Sequence, residues 1–142
     1  LRDGSAFKSP GRTLASTRGG RVGKVISGLS FPPGCVVEVK DAKYKFYGRD
    51  EVLAALRGLR MGTYEENCFD CDNFTEWAVA SLRSNPADRR FKCLAIGDAW
   101  GRYAGGGEYH SLVVFWTDKN TRVYWEPQTG QMVDFHPKKI FV

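Results

Sequence analysis

The feature that most constrains the fold is a series of four strand-like segments that fills the chain after residue 90. These segments cover residues 91–100, 109–117, 122–127 and 131–135, with turn-rich breaks between them. The breaks DKN and QTG have the length of β-hairpin connections. The segments therefore predict an antiparallel meander, in which consecutive strands pair with one another.

Two segments ahead of the meander have the spacing of amphipathic helices. Residues 50–61 begin at Asp50, which is a suitable N-cap, and Gly62 follows their apolar stripe. Residues 74–83 form the second predicted helix, and Pro86 prevents it from continuing. Both segments are expected to turn their apolar faces towards the sheet.

The order of these elements predicts the fold class. Two short strands are expected over residues 35–40 and 44–48, before the helices. Helices followed by a run of strands indicate an α+β domain, with the helices packed on an antiparallel sheet. The loop over residues 100–109 contains four glycines and is either a mobile lid over a cleft or a simple connection.

The 142 residues suffice for one domain with its own core, and their net charge is +5. No apolar run approaches the roughly 18 residues that span a bilayer, so no membrane span is predicted. Residues 1–34 are interpreted as a basic Gly/Ser/Pro-rich N-terminal arm, and residues 35–142 as the folded domain. The basic residues over 1–24 either bind an acidic partner or nucleic acid or only keep a tail solvated; they are Arg2, Lys8, Arg12, Arg18, Arg21 and Lys24.

Four cysteines do not form the dense pattern of a small disulfide-stapled domain. Cys35 and Cys93 lie in apolar surroundings, where a free cysteine usually packs as a small hydrophobe. Cys68 and Cys71 form a C-x-x-C pair, for which a zinc clip and a redox pair are alternatives to an inert Cys68. A reducing compartment, or a virion, is the preferred location.

Cys71, His110 and Glu126 follow one another in an order that suggests a catalytic triad. Cys71 lies at the expected start of a helix, where the helix dipole favours a thiolate. If the two strands of the meander pair through the DKN turn, His110 and Glu126 fall near the same end of the sheet. A carboxylate there would orient the histidine, and the histidine would activate the thiol. A structural thiol and a strand histidine without catalytic role remain alternatives.

Four motifs carry a resemblance to a known family. FDCDNF (69–74), GDAWG (97–101), YHSLVVF (109–115) and EPQTG (126–130) together resemble the C-terminal papain-like domain of Marasmius-type mushroom agglutinins, which has bacterial and phage relatives. FDCDNF is also similar to the D-C-[DE]-[DN]-[FY] motif of transglutaminase-like cysteine peptidases. The resemblance covers about residues 64–135, and EPQTG is its most distinctive part.

The resemblance implies a papain-like fold and calcium-dependent cysteine proteolysis. Cys71 would be the nucleophile, His110 the general base and Glu126 the group that orients His110. The calcium ligands would be Asp72, Asn73 and Gln128, whose oxygen donors suit Ca²⁺. Asn67 is a weak candidate for the oxyanion hole.

Asn73 departs from the family pattern, because an acidic residue is usual there and its loss should weaken a calcium site. No part of these 142 residues resembles the family's β-trefoil sugar-binding domain, so glycan targeting is not carried over.

The sequence thus favours a cysteine peptidase that hydrolyses peptide bonds through a Cys-His-Glu triad, with calcium as a cofactor and a protein or peptide as substrate. One alternative is a non-catalytic structural or binding module of a phage or bacterial assembly, whose basic arm contacts an acidic partner or nucleic acid. A second is a deamidase or toxin effector that uses the same triad, because triad residues alone do not define a substrate.

Overall fold

A computed structural model describes residues 25–59 and 70–142 of the chain. Its central element is a six-stranded mixed sheet, with a separate two-stranded hairpin and two α-helices. The strands are β1 (Val25–Ile26), β2 (Leu29–Ser30), β3 (Val36–Glu38), β4 (Ile96–Tyr103), β5 (Gly106–Asp118), β6 (Thr121–Glu126), β7 (Gln131–Val133) and β8 (Phe135–Phe141). The helices are α1 (Arg49–Arg57), α2 (Cys71–Ser84) and a 3-10 helix (Arg89–Cys93).

The strand order in the large sheet is β3-β8-β4-β5-β6-β7. The strands β4, β5, β6 and β7 form the expected antiparallel meander, with Ile96 opposite Phe115 and Val113 opposite Trp125. The chain then returns across the sheet, because β8 pairs antiparallel with β4 on the other side of the meander. The short β3 pairs parallel with β8 and makes the sheet mixed.

Two glycines of the GDAWG segment allow β8 to approach β4. A Cβ atom on Gly97 would lie 1.9 Å from the carbonyl oxygen of Phe141, and one on Gly101 would lie 2.2 Å from that of His136. Both distances are far below van der Waals contact, so neither position accepts a side chain unless the backbone moves. The two glycines therefore have a packing role in this sheet.

The central strands are covered on both faces. Helices α1 and α2 pack against one face through Leu53, Leu56 and Leu82, which contact Val113 and Phe115 among other core residues. We call this side the helix face. The other face packs against the segment around β2, which contributes Leu29 and Phe31 to a second cluster; the strands contribute Leu112, Val114, Trp116, Tyr124 and Ile140 to it. Burial on both faces explains the unbroken apolar run in β5, since alternation is expected only where one face meets water.

Helix α2 begins where its sequence provides a capping box. The Asp70 side chain accepts from the backbone of Asn73, and the Asn73 side chain accepts from the backbone N–H of Asp70 at 3.1 Å. Its inward residues Phe74, Ala78 and Leu82 recur at helical spacing. The helix therefore starts three residues earlier than the predicted 74–83, because polar capping rather than the apolar pattern sets its first turn.

The predicted fold class, helices packed on an antiparallel sheet in a papain-like or transglutaminase-like arrangement, is wrong. Strands make up 43% of the described residues and helices 26%, and the six-stranded sheet is mixed. The error comes chiefly from β8, which contains Pro137 and adjacent lysines and so lacks an apolar pattern. This strand both extends the meander and creates the parallel pair with β3.

Three smaller predictions also differ from the structure. The expected strand over 44–48 is reduced to one bridge, between Lys45 and Leu94. Residues 89–93 form a 3-10 helix where the start of a strand was expected. The glycine-rich segment 100–109 is mostly β-structure at the tip of the β4–β5 hairpin, and Gly106 and Gly107, the first residues of β5, adopt positive φ angles that favour glycine.

The basic part of the predicted N-terminal arm, residues 1–24, lies outside the described residues. Residues 25–34 include β1, β2 and the buried Phe31. Across 25–59 and 70–142, no helix is long and apolar enough to cross a membrane.

Candidate functional site

His110 and Glu126 meet at a buried carboxylate. Glu126 ends β6 and is 3% exposed. Its Oε1 atom forms a hydrogen bond with His110 Nε2 and accepts a second from the Tyr103 hydroxyl at 2.8 Å. Its Oε2 atom accepts from the backbone N–H of Gln128 at 2.8 Å. Three partners thus satisfy a carboxylate that would otherwise be costly to bury. We call Glu126, His110 and Tyr103 the buried network.

Tyr103 is the member that the sequence analysis missed. It stacks on the His110 ring, with centroids 5.5 Å apart, and contacts Phe135 edge-on. Burial first, and then the hydrogen bond and negative charge of Glu126, raise the pKa of Tyr103 far above its ordinary value. Its hydroxyl is therefore a permanent donor to Glu126. Its position in the β4–β5 hairpin, near His110 on the paired strand, was the signal that could have identified it.

Cys71 is the first residue of α2 and lies near this network without a hydrogen bond to it. Its thiol is 3.8 Å from Asp72 Oδ1. Burial raises the pKa of Cys71, and the carboxylates of Asp72, Asp70 and Glu126 raise it further, whereas a hydrogen bond from the Ser111 backbone lowers it. The net direction is upward, so the thiol is protonated at neutral pH.

A protonated Cys71 is the reverse of what a thiol nucleophile requires. Within the part of the chain that the structure describes, no hydrogen bond joins Cys71 to His110. Of the three predicted catalytic residues, His110 and Glu126 are hydrogen-bonded to each other. Cys71 lies near them as a neutral thiol.

The residues predicted to bind calcium have other contacts. The Asn73 side-chain oxygen caps α2, Asp72 lines the cleft described below, and the Gln128 backbone bonds Glu126. Over residues 25–59 and 70–142, no group of three or more His, Cys, Asp or Glu side chains is arranged to hold a metal ion. The calcium assignment stays a prediction. The oxyanion candidate Asn67, like Cys68, lies outside the described residues.

An open cleft of about 490 Å³ lies on the helix face, between the first turns of α2 and the strands β3, β8 and β4. We call it the acidic cleft, because four of its lining residues are carboxylates and two are lysines. Its lining consists of Glu38, Lys40, Asp72, Glu76, Asp98, Trp100, Ser111, Lys139 and Phe141. Register places the strand residues on one wall, since Trp100 lies opposite both Ser111 and Lys139, and Phe141 opposite Glu38.

Asp98 is the most perturbed carboxylate of the acidic cleft. Burial is the main cause that raises its pKa to about 6; Glu76 and Asp72 raise it as well, and Lys40 opposes the shift. Among the described residues, none donates a hydrogen bond to its carboxylate. Perturbed titratable groups in a cleft are characteristic of functional sites.

Trp100 gives the cleft an aromatic wall. It is 37% exposed and stacks on Tyr109, which is 41% exposed, with centroids 4.3 Å apart and planes 8° from parallel. The Arg102 guanidinium lies 4.3 Å from the Tyr109 ring, and the Lys139 ammonium 5.9 Å from the Trp100 ring. Cations therefore cap the stack at both ends.

At the level of sequence, GDAWG contributed only to the family resemblance, and the acidic cleft was not predicted. A usable signal was present, because Asp98 and Trp100 are two residues apart in a strand and so share a face. The residues from α2 and β8 gave no comparable signal, since only the tertiary fold brings them to that wall.

No protein-family model matches the sequence, and no curated protein matches it. Several solved structures are similar in fold, among them the following two. One, described as the "PSL1a-E64 complex", has a TM-score of 0.62 at 16% identity, and the alignment covers 96% of this chain and 50% of that chain. The other is Polyporus squamosus lectin bound to the human-type influenza-binding epitope Neu5Aca2-6Galb1-4GlcNAc, with a TM-score of 0.58 at 19% identity. That alignment covers 75% of this chain and 42% of the lectin.

At these identities the similarity shows the fold alone: this chain is a fold relative of a mushroom lectin and spans about half of the lectin's length. The predicted resemblance to a mushroom agglutinin is therefore supported only as a similarity in fold to a mushroom lectin. The prediction of a papain-like peptidase domain is not supported. The predicted function, a thiol peptidase or hydrolase with a catalytic triad, is wrong. The finding that overturns it is the similarity in fold to Polyporus squamosus lectin; in addition, Cys71 has a raised pKa and, among the described residues, forms no hydrogen bond with His110.

Proposed function

We propose that this chain is a carbohydrate-binding module and that the acidic cleft is its ligand site. The observation that carries the proposal is an exposed tryptophan, Trp100, on the same strand face as the carboxylate of Asp98, which accepts no hydrogen bond from the described residues. A binding role thus replaces the peptidase interpretation. A non-catalytic binding module was one of the alternatives that the sequence left open.

The chemistry of the cleft suits a sugar. A pyranose presents an apolar face of C–H groups, which packs on an aromatic ring, and a rim of hydroxyls, which both donate and accept hydrogen bonds. Trp100 supplies the ring, Asp98 and Glu76 supply acceptors, and Lys40 supplies a donor. Small-ligand sites combine such an apolar surface with a few polar groups in a volume of roughly 300–1,000 Å³, which includes the volume of this cleft.

The buried network has a positioning role in this proposal. Glu126 bonds Tyr103 from β4 and His110 from β5, and these strands also carry Trp100 and Tyr109. A carboxylate that bonds both strands of a hairpin fixes their relative position. The aromatic wall would then be rigid before the ligand arrives, which lowers the entropic cost of binding.

The lectin comparison supports the class of ligand without locating the site. The similar lectin structure contains a bound sialylated trisaccharide, yet this chain covers only 42% of that chain. The position of the site in this chain therefore rests on its own cleft residues.

The test is isothermal titration of the protein with neutral oligosaccharides, beginning with tri- to hexamers of N-acetylglucosamine, followed by a broader glycan array. Wild-type protein should bind at least one neutral glycan, and Trp100→Ala should weaken that binding by about tenfold or more, because truncation of an aromatic anchor in a binding site typically costs roughly 2 kcal/mol or more. Phe46→Ala is the matched control, because Phe46 is 38% exposed but does not line the cleft. Absence of binding across the array, or equal losses in both variants, would contradict the proposal.

A further inference from the structure

We propose that the acidic cleft selects sugars that carry an ammonium group over neutral and acidic sugars. This inference rests on the proposed function and specifies the ligand of the same site. It follows from three features of the cleft: its charge, the cation already placed on Trp100, and the Asp98 carboxylate, to which no described residue donates a hydrogen bond.

The charge of the cleft favours a cationic ligand. Within residues 25–59 and 70–142, four carboxylates line it, and two ammonium groups, those of Lys40 and Lys139, oppose them. Clefts lined by an excess of one charge concentrate ligands of the opposite charge and repel those of the same charge. A sialylated or uronic-acid sugar would bring its own carboxylate into this field and is expected to be excluded.

The aromatic wall already binds a cation. Lys139 lies opposite Trp100 in the β4–β8 register and places its ammonium 5.9 Å from the Trp100 ring. The lysine is exposed, so a ligand ammonium can displace it at little cost. Lys139 thus shows where the ammonium of a ligand would contact the ring, since aromatic faces and carboxylates together recognise such groups.

Asp98 provides the negative charge next to that position. Lys40 is the cation that acts on it, and no described residue donates a hydrogen bond to its carboxylate. Two further carboxylates, Glu76 and Asp72, act against its ionisation. An ammonium group bound in the cleft would compensate all three carboxylates together, which a neutral sugar does not do.

The experiment compares three glucosamine-based oligomers of equal length by isothermal titration at low ionic strength. The first is N-acetylated and neutral, the second is N,N,N-trimethylated and permanently cationic, and the third carries N-succinyl groups and is anionic. We expect the cationic oligomer to bind about tenfold or more tightly than the neutral one, and the anionic oligomer to bind most weakly. The preference should shrink as salt screens the cleft.

Asp98→Asn and Lys139→Ala make the test specific to the cleft. Asp98→Asn should reduce the ratio of cationic to neutral affinity to within about threefold; both oligomers are titrated against this variant, because Asp98 is also an acceptor for sugar hydroxyls. Lys139→Ala should strengthen binding of the cationic oligomer, because the internal competitor is removed. Glu108→Gln is the charge-matched control, since Glu108 is exposed and lies outside the cleft, and it should preserve the preference.

The outcomes separate this inference from the proposed function. Neutral binding without a cationic preference overturns the inference and leaves the carbohydrate site intact. Failure of all three oligomers and of the wider array overturns the carbohydrate site itself. A cationic preference that Asp98→Asn does not change overturns the assignment to this cleft. Equal or tighter binding of a lysine-rich peptide of the same charge also overturns the inference, because charge alone would then explain the selection.

Discussion

Two carboxylates of the same sheet, Asp98 in β4 and Glu126 in β6, have opposite environments. Glu126 is almost completely buried, and three groups bond it. Asp98 lies in the open cleft, accepts no hydrogen bond from the described residues and has a raised pKa. Glu126 thus connects parts of the fold through its hydrogen bonds, whereas the oxygen atoms of Asp98 can still accept hydrogen bonds from a ligand. Satisfied polar groups indicate structure, and unsatisfied ones in a cleft indicate binding.

Removal of the Glu126 side chain should produce the largest effect on stability. Glu126→Ala leaves the His110 ring nitrogen, the Tyr103 hydroxyl and the Gln128 N–H without their acceptor in a buried site. We expect the free energy of unfolding to fall by about 3 kcal/mol, measured by urea denaturation. Glu108→Ala, which removes an exposed carboxylate, should change it by less than about 0.5 kcal/mol. Similar losses in the two variants would show that Glu126 does not hold the hairpin.

Neutralisation of Asp98 should raise the free energy of unfolding, whereas removal of the Glu126 side chain lowers it. Its folded-state pKa of about 6 lies above the ordinary 3.8, so the stabilising contribution of the protonated acid is complete below about pH 3.8 and is lost as pH rises through 6. Asp98→Asn should therefore raise the free energy of unfolding by about 1–2 kcal/mol near pH 7.5, after allowance for solvent screening, and change it little near pH 4. A loss of stability at the higher pH would mean that Asp98 has a partner within the fold.

Loss of one bond in the buried network should have a smaller effect. Tyr103→Phe keeps the ring that stacks on His110 and removes only the hydroxyl that donates to Glu126. The expected cost is about 1 kcal/mol in urea denaturation. In the Glu126→Ala background the same change should cost almost nothing, since its acceptor is absent. An undiminished cost in that background would indicate that the hydroxyl acts through another partner.

The smallest expected effect concerns Cys71. Because its pKa is raised, iodoacetamide should alkylate it slowly at neutral pH, with a rate that increases only above the ordinary thiol pKa of about 8.5. His110→Ala should leave the rate unchanged, because no hydrogen bond links the two side chains. Peptide mass mapping measures this rate. Rapid labelling below pH 7 that His110→Ala abolishes would restore the activated thiol and contradict our assignment.

The sequence predicted local elements well where one signal dominated. The meander and both helices were expected from apolar spacing and turn residues, and the structure contains them. The strand β8 was missed because Pro137 and the lysines around it conceal its pairing, which depends on contact with Gly97 and Gly101 in β4. Fold class was then wrong, since the position of one terminal strand decides whether the sheet is mixed.

For the candidate site, too, some features could be predicted from the sequence and others depended on the tertiary structure. Linear spacing was enough to suggest that His110 and Glu126 lie close together, and the structure shows them bonded. Asp70 and Asp72 flank Cys71 in the sequence, but burial, the largest cause that raises the pKa of Cys71, is set by the tertiary fold and could not be read from spacing. The acidic cleft combines residues from α2, β3, β4, β5 and β8 and therefore emerges only from the tertiary structure.

The central claim is that ligand binds at the acidic cleft and not at the buried network. A titration of isotope-labelled protein with the neutral glucosamine-based oligomer, followed by amide and indole NMR shifts, tests it most directly. We predict that the Trp100 indole N–H and the amides of Asp98 and Ser111 shift together with one affinity, while the side-chain signal of His110 remains in place. Shifts centred on His110 and Glu126, with Trp100 unchanged, would contradict the account.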